Sequence, residues 1–169
     1  MKKLILLVLA LSLAVPAWAV SPFQERLQAR TATFWIEGQA LGDMVLGARA
    51  RLSFVLVDAT LARDLSGNPE APEWLSWHGQ HYGAKGKTLF IVRLKTLKPM
   101  AFDPTLLHVG DHQVTMDDVL TRQHFLPQGD LPSGLEGTLA LRIPTTAIPK
   151  KGPIPLGYGD WGMEWTAPR

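Results

Sequence analysis

The chain has 169 residues, with 17 basic and 15 acidic side chains and no cysteine. That length suits one domain around a single core, and the absence of cysteine excludes disulfides, thiol nucleophiles and lipid attachment at a cysteine. Without Lys2 and Lys3, which fall in a removable leader, basic and acidic residues balance, so the overall charge gives no reason to expect nucleic acid as a partner.

Residues 1–19 carry the three parts of a secretory signal peptide. Lys2 and Lys3 form a positive start, 4–15 an apolar run, and Ala17-Trp18-Ala19 a small-x-small cleavage site. The apolar run is about a dozen residues, short for a bilayer span. An uncleaved N-terminal anchor is the alternative reading. The expectation is a periplasmic or secreted protein, a single domain over 20–169, and no stable membrane anchor once the leader is gone.

Ser21-Pro22 with Gln24 and Glu25 predicts a short helix, capped by the serine and opened by the proline. Phe23 and Leu27 supply its apolar side. The β-branched and aromatic run 31–36 predicts the first strand, and Gly38, Gly42 and Asp43 the turns after it. Over 46–57, Ala48, Ala50, Leu52, Phe54 and Leu56 alternate with Arg49, Arg51 and Ser53, the pattern of a half-buried strand. Its far face turns apolar at Val55 and Val57. Residues 58–87 read as the least regular part, broken by Gly67-Asn68-Pro69 and Ala71-Pro72. A loop this long is functional or disordered more often than not, and Trp74, Trp77 and Tyr82 argue against disorder.

The stretch 88–110 organises the rest. Phe90, Val92 and Leu94 fall on one face of an extended chain, and Leu89 and Ile91 on the other, so a central strand covered on both sides is expected. A run this apolar calls for a packed partner sheet. Lys98-Pro99 ends the strand, since proline donates no ladder hydrogen bond. Asp103-Pro104 marks a further turn, and Gly110-Asp111 closes a two-residue hairpin into 112–115. Thr115-Met116-Asp117-Asp118 is expected to cap a short helix reaching about Gln123, with Met116, Val119 and Leu120 buried. Residues 137–143 predict another strand, with Leu139, Leu141 and Ile143 inward and Thr138 and Arg142 outward. A last hairpin is expected around Gly159-Asp160. Some seven short strands with Pro- and Gly-marked turns favour an all-β antiparallel sandwich with one or two short helices. A small open barrel is the second architecture that fits.

The run Lys85-Gly86-Lys87-Thr88-Leu89-Phe90-Ile91-Val92-Arg93-Leu94 resembles the central strand of immunoglobulin-like domains of unknown function in bacterial envelope proteins. Leu131-Pro132-Ser133-Gly134 and Gly137-Thr138-Leu139-Ala140-Leu141-Arg142-Ile143-Pro144 resemble that family's later turn and its G-x-L-x-F-x-V-P-like strand. The resemblance spans 46–158. It implies an immunoglobulin-like sandwich in the cell envelope and no particular activity. The chain departs from the family in lacking the lipid-attachment cysteine of many members and in its longer tryptophan-bearing loop.

Few residue groups invite chemistry. His108 and His112 have a familiar metal-ligand spacing, but that spacing converges on a helix. In a hairpin around Gly110-Asp111, Val109 faces His112 and His108 faces Gln113, so the two imidazoles point to opposite sides. Met44, Met100, Met116 and Met163 are scattered, without the His-Met pairs a copper site would use. Ser133 sits in a Pro-Ser-Gly turn rather than a nucleophile elbow, and Asp117-Asp118 suit a helix start. No cofactor and no catalytic residue is assigned. The densest cluster is Trp74, Trp77, His78, His81 and Tyr82, either an aromatic binding surface or a loop folded back over the core. The sequence thus predicts an exported, non-enzymatic accessory or binding module with an envelope protein or peptide as partner. A periplasmic copper- or zinc-binding protein and a hydrolase without a recognisable motif are the alternatives.

Overall fold

The computed structural model describes residues 20–42 and 44–168. The expected signal peptide, 1–19, and the turn residue Asp43 lie outside the described residues. The architecture is mostly antiparallel β-sheet, in two four-stranded sheets that share an apolar core.

Helix α1 (Pro22–Ala29) begins as the sequence requires, with the Ser21 hydroxyl accepting from the Gln24 N–H and proline in the first turn. Strand β1 (Thr31–Ile36) follows, then a small hairpin of β2 (Gln39–Leu41) and β3 (Met44–Leu46), then β4 (Ala50–Val57). Helices α2 (Ala59–Leu65) and α3 (Glu73–Gly79) lead to the long strand β5 (Lys87–Thr96). Next come β6 (Met100–Phe102), β7 (Leu107–Val109), β8 (His112–Gln113), β9 (Gly129–Leu131), β10 (Glu136–Pro144), β11 (Ile154–Tyr158) and β12 (Trp161–Trp165). The first sheet runs β1-β4-β5-β10 and the second β12-β11-β7-β8. The pairs β2-β3 and β6-β9 stand apart as two-stranded ribbons.

Strand β5 lies inside the first sheet, between β4 and β10. Its alternation divides two cores. Phe90, Val92 and Leu94 face inward with Phe34, Leu52, Phe54, Leu139 and Leu141, and meet Leu107, Val109 and Leu156 of the second sheet. Leu89 and Ile91 face outward and are covered by Phe23, Leu61, Leu65 and Leu75, together with Val55, Val57 and Ala140. The strand is therefore covered on both faces as expected, but by a sheet on one side and by helices on the other.

That second layer corrects the reading of 58–87 as irregular. Asp58 caps α2 through the Leu61 N–H at 2.8 Å, and Leu61, Leu65 and Leu75 bury the helical faces. The breakers Gly67-Asn68-Pro69 fall between the two helices, not inside them. Each helix is only seven residues long, so neither holds enough turns for its period to stand out. Among the described residues there are three α-helices rather than one or two.

The expected helix over 115–123 is also corrected. The chain makes one 3-10 turn at Met116–Asp118 and then extends. Val119 bridges Leu141, and the Leu120 N–H donates to the Ala140 carbonyl at 2.9 Å. The free edge of β10 takes these backbone groups and ends the helical geometry, and Met116 stays exposed. Both expected hairpins form in the expected register, with Val109 opposite His112 and Tyr158 opposite Trp161.

Candidate ligand cleft between α3 and the β10 edge

Helix α3 lies across the outer face of β5 and β10. Leu75 goes into the core, and Gly79 lets α2 close in, since a Cβ there would stand 2.6 Å from Leu65 Cδ1. Trp74 and His78, four residues apart, share the side turned to the sheet. The Arg93 guanidinium sits 5.2 Å from the Trp74 ring centroid. His78 Nε2 lies 3.1 Å from Thr138 Oγ1. Arg93 and Thr138 are themselves cross-strand partners, so one pair of neighbours on the sheet receives one side of the helix.

The opposite wall is the segment along the edge of β10. Thr121 is fixed there because its Oγ1 accepts the Ala140 N–H at 2.9 Å. The chain then turns through a 3-10 element, Gln123–Phe125, which leaves Phe125 exposed with its ring against His124. Between the two walls is a cleft of about 360 Å³, lined on one side by Trp77, His78, Gln80 and His81. Leu120, Thr121, Arg122 and Phe125 line the other side, and Thr138 the floor. A cleft of this size lies toward the small end of the roughly 300–1,000 Å³ range of small-molecule sites. Trp77 is 58 % exposed and Phe125 62 %. His78 is only 5 % exposed, and its Nδ1 is buried without a hydrogen-bond partner. Burial, and then the proximity of His81, holds the His78 imidazole below its ordinary pKa, so it is neutral around pH 7.

Of the sequence-predicted residues, Trp77, His78 and His81 come together in the cleft. Trp74 packs against the outer core beneath Arg93. Tyr82 is exposed beside Gly79 and Ser76, on the α2 side of α3. The two tryptophans therefore divide between the two roles the sequence left open: Trp74 is largely cover, and Trp77 is surface. Sequence reasoning missed Arg122, Phe125, Thr121 and Thr138. Only Phe125, a large aromatic in a turn-rich polar stretch, carried a usable signal.

The His78–Thr138 contact has the look of a base beside a hydroxyl. Among the described residues His78 Nδ1 has no hydrogen-bond partner to orient the ring. The arrangement positions a helix and lines a cleft. Among the described residues no three His, Cys, Asp or Glu side chains converge to hold a metal. His112 Nε2 is on Asp118 Oδ2 at 2.8 Å, while His108 lies over Gly157, leaving no space for a Cβ there. Met100 is buried in the inner core, while Met44 and Met116 are exposed. Among the described residues no helix is long and apolar enough to cross a membrane.

No family model, no curated protein and no solved structure matches the chain.

Proposed function

We propose that the chain is an exported, non-enzymatic binding module of the cell envelope, which takes a compact ligand between Trp77 and Phe125. One observation carries this reading. Two large aromatic side chains stand exposed on opposite walls of the same cleft, above a floor that is already packed and hydrogen-bonded. More than half of each side chain remains exposed, and a ligand seated between them removes part of that apolar surface from water, favourable by about 25 cal/mol per Å². Export rests on the leader-like pattern of 1–19.

For the architecture we propose an immunoglobulin-like sandwich. Two four-stranded antiparallel sheets over a common core support it.

The test is a nuclear magnetic resonance screen of mono- and bicyclic aromatic fragments at millimolar concentration. Shifts centred on the Trp77 indole N–H and on residues 120–125, abolished by Trp77→Ala at an unchanged melting temperature, are expected. Shifts scattered over the surface would overturn the site. Turnover of p-nitrophenyl acetate that disappears in His78→Leu would overturn the non-enzymatic reading.

A further inference from the structure

We propose, resting on the binding cleft above, that its ligand is an organic anion: a compact apolar body held between Trp77 and Phe125, with one carboxylate directed to Arg122. The cleft lining contains no carboxylate. Its one permanently charged member is Arg122, and its titratable members are His78 and His81, which gain positive charge or none.

Arg122 is exposed and makes no ion pair among the described residues. Two carboxylates on neighbouring segments are occupied. Glu136, two residues along β10 from Thr138, takes both Arg93 at 2.6 Å and Lys95 at 2.8 Å. Asp118, two residues before Leu120, accepts from the Thr115 N–H and hydroxyl and pairs with His112. Arg122 is thus a cation without an ion-pair partner among the described residues, and it belongs to the lining of a cleft that also holds Trp77 and Phe125.

The other polar groups of the lining add donors. The Thr121 oxygen already accepts the Ala140 N–H, so its own hydroxyl proton is available to donate. Gln80 brings an amide NH₂ and His81 a ring nitrogen. A planar guanidinium matches a carboxylate with two parallel hydrogen bonds, and such charge-assisted bonds are roughly twice as strong as neutral ones. A neutral ligand would use the aromatic walls but not Arg122. A cation would meet Arg122 with no carboxylate in the lining to offset it. The same carboxylate can be borne by a free small acid or by the C-terminus of a short peptide.

The test compares 2-naphthoate with 2-naphthamide, which share a ring system and differ in charge, by calorimetry and by shifts at Trp77. Gly-Phe with a free C-terminus and its amidated form are the parallel arm, and tighter binding of one acid than the other tells a free acid from a peptide end. Naphthoate is expected to bind the native protein about tenfold more tightly than naphthamide. Arg122→Gln is expected to bring that ratio to about one without weakening naphthamide, because the variant loses the guanidinium charge and fork that only the carboxylate uses fully. Trp77→Ala should weaken both. Equal affinities in the native protein, or a ratio that survives Arg122→Gln, would overturn the anion proposal while leaving the cleft as a binding site. If none of the four probes shifts Trp77, the cleft is not a site for such ligands and both proposals fall.

Discussion

His78 Nε2 meets Thr138 Oγ1 at 3.1 Å, and this hydrogen bond ties α3 to the edge strand β10 from the buried side of the helix. His78 Nδ1 has no partner, so the imidazole makes one hydrogen bond where it is equipped for two. Thr138→Val removes that bond, nearly preserves shape, and strands a buried imidazole. The expected loss is about 1–3 kcal/mol. His78→Leu in the Thr138→Val background restores most of it, because a buried polar group costs more unpaired than replaced. Urea unfolding of the two single variants and the double variant measures the coupling. Additive losses would mean that the contact contributes nothing to stability.

Two histidines set the pH dependence near neutrality. Burial lowers the pKa of both His78 and His108, and His81 adds to the effect at His78. Both are therefore neutral in the folded chain at pH values where the unfolded chain binds protons. The unfolded state takes up protons first as pH falls through about 6.5, so stability falls with pH. This contribution is fully present above about pH 6.5 and is lost as pH drops to the folded-state values. The urea midpoint is expected to decrease from pH 7.5 to 5.5. His78→Gln should remove part of that slope, and His78→Gln with His108→Gln most of it. A slope unchanged in the double variant would assign it to other groups.

The acid limb is separate. Burial pushes the Asp118 carboxyl up, but the bonds from His112 and from the Thr115 N–H and hydroxyl outweigh it, and the net shift is downward. Glu136, bonded first to Lys95 and then to Arg93, is lowered to about 2. Carboxylates depressed in this way stabilise above their ordinary values near 4 and lose that contribution as pH falls through the folded values. Asp118→Asn should blunt the loss below about pH 4 and leave the histidine limb in place. The Glu136 part is exposed and should fade in salt, with little change at Asp118.

Much of this was legible in the sequence because strand alternation has a fixed period of two. Phe90, Val92 and Leu94 against Leu89 and Ile91 announce a strand with two apolar faces, and both faces are buried. The alternation does not say what covers each face. Leu61, Leu65 and Leu75 lie on two seven-residue helices separated by Gly67-Asn68-Pro69, so helical spacing never accumulates. The cleft was half legible for a related reason. Trp77, His78 and His81 stand close in sequence and on one stretch of chain. Arg122 and Phe125 join them only because Val119 and Leu120 pair with the edge of β10. Trp74 and Trp77 look equivalent in sequence, yet the offset of about 60° between positions three apart on a helix leaves Trp74 against Arg93 and Trp77 toward water.

Arg30 and Asp58 join α1 to the start of α2. Arg30 is 8 % exposed, and its Nε and Nη2 reach Asp58 Oδ2 at 2.9 and 2.8 Å, while Asp58 Oδ1 caps α2. Asp58→Asn keeps the cap oxygen and weakens the pair. Asp58→Ala removes both and leaves a buried guanidinium unpaired. The cap accounts for about 1 kcal/mol, so Asp58→Ala, which also loses what remains of the Arg30 bond, should be less stable than Asp58→Asn by at least about that amount. Its full cost should be about 2–4 kcal/mol, since breaking a buried pair from one side is expensive. Chemical denaturation of both variants checks the order, and equal losses would remove the cap from the account.

Gly110 and Gly129 separate backbone strain from crowding. Both have left-handed backbones, with φ of +60° and +75°. A Cβ at Gly129 meets nothing within 4 Å, so Gly129→Ala should cost only the conformational penalty, roughly 1–2 kcal/mol. A Cβ at Gly110 would overlap the Ala147 carbonyl oxygen. That carbonyl also accepts the Asp111 N–H, and the Gly110 N–H donates to the Pro155 carbonyl. The crowding atom is backbone held by hydrogen bonds and has no rotamer into which to retreat. Gly110→Ala must therefore open the turn between β7 and β8 or shift the 147–148 segment away from it. Its loss should exceed that of Gly129→Ala by at least about 2 kcal/mol, with the earliest loss of amide protection at Gly110 and Asp111. Equal melting temperatures for the two variants would show that the turn accommodates the methyl group by moving as a unit.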